Sequence, residues 1–139
     1  MPLNATNAAR PMLNERAMLP FLAGAAADAL IGFDLLLAAG WLADWLAPGA
    51  ASVGGVPIDV LLRGLGIAMI GWAVATFAFV WLDAGRTALW AVIALNEAWV
   101  IASVAAVVFG QDVLSAAGNT VLITVAAGVA AIAFAQFRT

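Results

Sequence analysis

Asn96 and Glu97 stand side by side near the middle of an apolar run, AVIALNEAWVIASVAAVVF, over residues 91–109. An ionisable side chain in such a run costs roughly 2.5–3.5 kcal/mol to insert into a bilayer, which makes it a candidate functional group by default. A second carboxyl, Asp28, interrupts the apolar stretch that begins at Ala17. Trp99 follows Asn96 by three residues and brings an indole N–H that wants a partner when buried. Two acids, an amide and an indole are the parts of a proton-binding or cation-binding site, with the aromatic faces suited to an organic cation. Asp28, Asn96, Glu97 and Trp99 therefore form the candidate intramembrane polar site. At 1.5 Å per residue from the cytoplasmic ends, Asp28 lies roughly 15–18 Å deep and Glu97 roughly 15 Å deep, so both are expected near the midplane.

Other readings stand beside this one. A protonated Glu97, hydrogen-bonded to a backbone carbonyl or to Asn96 of a neighbouring subunit, acts as structural glue, and Asn96 reads equally as an interhelical donor. Trp72 and Trp99 read as core aromatics or as neighbours of Glu97. Asp34 lies about 9 Å beyond Asp28 and points about 120° away from it, near the level expected for Arg63. Asp34–Arg63 is a candidate ion pair, with Asp59 as the competing and more solvated partner.

Composition excludes many chemistries. Of 139 residues, 66% are hydrophobic and only 9% charged, too few to cover a soluble domain. Mean hydropathy is +1.10. The chain has no cysteine, histidine, lysine or tyrosine, so thiolate and imidazole metal sites, haem ligation and a histidine base are absent. No metal and no cofactor is expected. There is no GxxxxGK[ST], HExxH or CxxC, and Gly64-Leu65-Gly66 is a helix-packing feature without a dinucleotide context. The reading is non-enzymatic. A net charge of −3, scattered along the chain, implies no nucleic-acid partner.

The elements that must position these residues are four apolar spans. Residues 1–15, broken by Pro2 and Pro11, form a polar cytoplasmic tail, with Asn14 as a helix N-cap. Arg10, Arg16 and the run to Ala27 resemble a secretory signal, but the apolar stretch continues past Ala27 and reads as an uncleaved first span. Residues 16–139 form a single transmembrane domain with helices over about 16–46, 60–82, 88–109 and 119–137. The first is about 45 Å long, more than the roughly 30 Å hydrocarbon core, so it should tilt or protrude. Pro48, Gly49, Gly54, Gly55 and Pro57 mark a loop; Asp59 and Thr87 are expected caps of the second and third helices. The fold class is an all-α four-helix transmembrane bundle with antiparallel neighbours. Arg10, Arg16, Arg86 and Arg138 fall on the side of the termini, against Arg63 alone opposite, which places both termini in the cytoplasm. Trp41, Trp45, Trp81 and Trp90 suit interfacial belts.

Small residues at spacings of three and four suggest the packing faces. They are Gly24, Asp28, Gly32, Leu35 and Ala39 on the first helix, and Gly64, Ala68, Gly71, Ala75 and Ala78 on the second. The third has Ala91, Ala94, Ala98, Ala102 and Ala105; the fourth has Thr120, Thr124, Gly128, Ala131 and Ala135. The acids are expected to turn inward with these stripes, away from the acyl chains.

The phrases ADALIGFDLLLAAGWLADWL (27–46), LLRGLGIAMI (61–70) and LNEAWVIAS (95–103) resemble segments of uncharacterised small four-span bacterial inner-membrane proteins. The resemblance implies a multi-pass protein of the bacterial cytoplasmic membrane and carries no function. Size, span count and a membrane acid near a tryptophan are also similar to small multidrug-resistance exporters. Their signature glutamate lies in the first span, where this chain has Asp28, and the arginine bias departs from their balanced members. The leading expectation is action by helix–helix association, as an accessory, assembly or structural subunit. The alternative is a small proton- or cation-coupled transporter, or an organic-cation-binding protein, using Glu97 and Asp28. Expected partners are membrane lipids, a second copy or a larger membrane complex, and a small cation or proton.

Overall fold

The computed structural model describes residues 15–50 and 52–138; the expected tail and the Asn14 cap lie outside the described residues. Long Ala-, Leu- and Ile-rich runs are helical because lipid offers backbone groups no partners outside their own ladder. Five helices follow: α1 (Glu15–Leu37), α2 (Ala39–Leu46), α3 (Ile58–Trp81), α4 (Arg86–Phe109) and α5 (Ala116–Phe137). Of these, α1, α3, α4 and α5 are long and apolar enough to cross a bilayer.

The expected first helix over 16–46 is not one rod. It bends at Ala38, where φ is −105° and ψ is 15°. Ala38 itself keeps both of its bonds, its N–H donating to Asp34 C=O at 2.9 Å and its C=O accepting from Leu42 N–H at 2.8 Å, although it belongs to neither helix. Excess length is thus taken up by a bend, leaving α1 at 23 residues, about 35 Å. Beyond the bend, Trp41 and Trp45 stack at 5.7 Å on the exposed side of α2. A two-residue hairpin, β1 (Ser52–Val53) and β2 (Val56–Pro57), follows. Gly54 and Gly55 turn it at φ 58° and 82°, the left-handed pair that such a tight turn requires.

Helix caps also depart from expectation. Asp59 and Thr87 lie inside α3 and α4, whose cap positions are Pro57 and Gly85. The fourth span starts at Ala116 instead of 119, because Ser115 caps it: its hydroxyl accepts from Gly118 N–H at 2.8 Å and donates to Trp45 C=O at 3.0 Å. Gly118 is a contact residue and not a breaker, since a β-carbon there would fall 2.6 Å from the Leu46 carbonyl oxygen.

Packing is uneven. α1 lies most extensively on α3, α5 on α4, and α1 also on α5, whereas α3 and α4 touch little. The α1–α3 seam is a backbone contact: a β-carbon on Gly32 would sit 2.8 Å from Gly66 O, and one on Gly66 would sit 2.6 Å from Gly32 O. Where α1 and α4 begin and α3 ends, Phe21, Val80, Leu89, Val92 and Ile93 form the buried apolar cluster. The expected first-helix stripe does face inward, with Gly24, Gly32 and Ala39 buried. The other three do not. The inner side of α3 is Gly66, Met69, Ala73, Thr76 and Val80, while Gly64, Ala68 and Gly71 are exposed. On α4 the inner side is Leu89, Val92, Ile93, Asn96 and Ser103, and Ala91, Ala94, Ala98 and Ala102 face out. Thr120, Thr124, Gly128 and Ala131 of α5 are likewise exposed. Small and large side chains therefore occur on both the inner and the outer sides, and glycine is sterically required only where a β-carbon would meet a neighbouring backbone.

Candidate intramembrane site

Successive residues on a helix point about 100° apart, so Asn96 and Glu97 cannot share one environment. Asn96 is buried at 7% exposure. Its Nδ2 donates to Gln136 Oε1 at 2.9 Å, and Gln136 Nε2 donates to the Pro20 carbonyl at 3.3 Å. This amide chain ties α4 to α5 and α5 to α1. Gly24 admits it, since a β-carbon there would lie 3.1 Å from Gln136 Nε2. Two buried amides that satisfy each other avoid the cost of leaving polar groups bare in an apolar interior. Gln136 is absent from the sequence-derived site. Its one visible signal is an amide in the last turn of the fourth apolar span.

Beside this chain lies a cavity of about 290 Å³ to which all four membrane-length helices contribute. Asp28 comes from α1, Met69 and Trp72 from α3, Asn96 and Trp99 from α4, and Val129 from α5. Of the expected site residues, the fold therefore unites Asp28, Asn96 and Trp99. Asp28 is half-buried and, among the described residues, is the only ionisable side chain on the wall. Among the described residues nothing pairs with or hydrogen-bonds to its carboxyl group. Trp72 is held by an edge-on contact with Phe79, ring centroids 6.4 Å apart. The indole Nε1 of Trp99 is buried with no hydrogen-bond partner, an unusual state for such a donor.

Two expectations are corrected here. Glu97 does not meet Asp28: it is exposed on the outer side of α4 and does not line the cavity, whereas Trp72 and Trp99 share the cavity lining with Asp28. The depth estimate placed both acids well inside their spans but carried no information on direction around the helix. Arg63 does not pair with Asp34. Its Nε lies 3.9 Å from Asp59 Oδ2, one turn back on α3, with both side chains well exposed, and Asp34 faces outward from α1. A partner four residues away on the same helix is reached without the cost of bridging two helices.

The sequence matches no protein-family profile, and neither a curated protein nor a solved structure is detectably similar to it.

Proposed function

We propose that this chain is a four-span protein of the bacterial cytoplasmic membrane, with antiparallel neighbouring helices and cytoplasmic termini. Its activity would be binding of a small lipophilic cation at Asp28. The observation that carries this reading is the cavity itself, lined by one unpaired carboxyl, two tryptophans and otherwise mostly apolar side chains. A lone carboxylate in such surroundings is poorly solvated, so an arriving cation gains far more there than in water. Each indole face adds about 0.5–2 kcal/mol of attraction for a cation. The ligand and a proton compete for the same carboxyl oxygens, and among the described residues no second titratable group lines the cavity to share the proton. Binding should therefore weaken as pH falls, which is also the coupling that proton-linked transport would use.

The test is saturable binding of hexylamine to the full chain in lipid vesicles, followed by tryptophan fluorescence. Asp28→Asn should lower affinity about tenfold or more and remove the pH dependence. Unchanged binding in Asp28→Asn would end this reading.

A second reading, association with a further copy or a membrane partner, is favoured by Glu97. It lies well inside the span on an outer face that also exposes Ala94 and Ala98. Small residues let a facing helix approach, and a carboxyl well inside a span gains from a hydrogen-bonding partner. Glu97→Leu should then shift cross-linked full-length protein in vesicles from oligomer to monomer; an unchanged pattern would dismiss it.

A further inference from the structure

Ala68 and Leu95 each line the Asp28 cavity and each are exposed on the outer surface, Leu95 at 50%. They come from α3 and α4, which pack little on one another. Between these helices the cavity is thus bordered by residues that also face outward, and both lips are apolar. Ala68 lies ten residues into α3 and Leu95 nine into α4, about 13–15 Å along each helix, so this edge is flanked by hydrocarbon and not by water. Small residues continue along the same edge of α3: Gly64 and Gly71, one turn either side of Ala68, have nothing within 4 Å of where a β-carbon would stand.

We infer that the cavity opens sideways into the bilayer between α3 and α4, and that its ligand is a membrane-dissolved amphiphile with a cationic amine head and a single apolar tail. This rests on the cation-binding reading of Asp28 and adds the route and the tail. The head reaches the carboxyl of Asp28 past Ala68 and Leu95. The tail remains among the acyl chains along the shallow, small-residue edge of α3. A route from the aqueous ends has less to recommend it, because the Phe21–Val80–Leu89–Val92–Ile93 cluster fills the bundle toward the α3–α4 turn. Toward the other end, Gly32 and Gly66 bring α1 and α3 into backbone contact.

The experiment uses the full chain in phosphatidylcholine vesicles and dodecylamine as the probe, with binding at equilibrium and exchange rate measured separately. Closing either lip, by Ala68→Trp or Leu95→Trp, should slow exchange about tenfold or more. Ala131→Trp, exposed on α5 and outside the cavity lining, should leave it unchanged. Helicity by circular dichroism identifies any variant that fails to fold, and the two lips are tested independently. Dodecylamine exchange at the wild-type rate in both folded lip variants, with Asp28-dependent binding intact, overturns the lateral entrance and spares the cation site. Dodecylamine binding indifferent to Asp28→Asn overturns both. Equal binding of dodecanol and dodecylamine removes the cationic head from the proposal.

Discussion

The two sides of α3 are both lined with small residues, and they behave in opposite ways. Toward α1, Gly66 is in contact with the backbone at Gly32 and leaves no room for a single added carbon. Away from α1, Gly64 and Gly71 face open space and Ala68 borders a cavity. The contrast teaches that a glycine in a membrane helix has no fixed meaning. On one side it joins two helices, and on the other it keeps a surface shallow.

The largest effect expected is at the closed side. Gly66→Leu should cost at the upper end of the roughly 1–3 kcal/mol that overpacking costs, with Gly32→Ala somewhat less. Reversible unfolding in mixed detergent would measure both. Gly64→Ala and Gly71→Ala should change stability by no more than about 0.5 kcal/mol, and losses equal to those at Gly66 would erase the distinction between the two sides.

Next comes the amide chain that holds α4 to α5. Gln136→Ala strands the Asn96 amide and should cost about 1–2 kcal/mol. In a double-mutant cycle, Asn96→Ala and Gln136→Ala should couple by about 0.6–1.7 kcal/mol. Strict additivity would mean the two amides do not act together.

The smallest effect belongs to the charged end of α3. Arg63→Ala should cost under about 1 kcal/mol and resemble Arg86→Ala, because its Asp59 partner is exposed and screened. A loss several times larger for Arg63 would indicate a buried partner and revive a pairing with Asp34.

The spans were legible because a bilayer demands about 20 apolar residues in a row, and four such runs stand out between Pro, Gly and Asp. The bend at Ala38 was not, since neither proline nor glycine occupies it. Ser115 is a strong cap type, but Gly118 three residues later reads as a break unless its contact with Leu46 is known. The faces of α3, α4 and α5 were illegible for a deeper reason. In water, polarity separates the outside of a helix from the inside; in lipid both are apolar, so periodicity loses its direction. On α1 the reading succeeded because Gly24 and Gly32 must admit Gln136 and the α3 backbone, a steric demand that a spacing argument can capture. Asp28, Asn96 and Trp99 were found as unlike residues in apolar runs. Glu97 was found by the same rule and misplaced, since the rule gives depth and not azimuth.

The orientation of α4 decides whether the cavity belongs to Asp28 alone. The chain has no native cysteine, so spin labels can be placed singly by Glu97→Cys and Ser103→Cys in nanodiscs that hold one chain each. Oxygen dissolved among the acyl chains should collide with the label at 97 several-fold more often than with the label at 103, which lies on the buried side of α4. The reverse order, with 97 shielded and 103 open, would contradict the orientation of α4 and the assignment of the cavity with it.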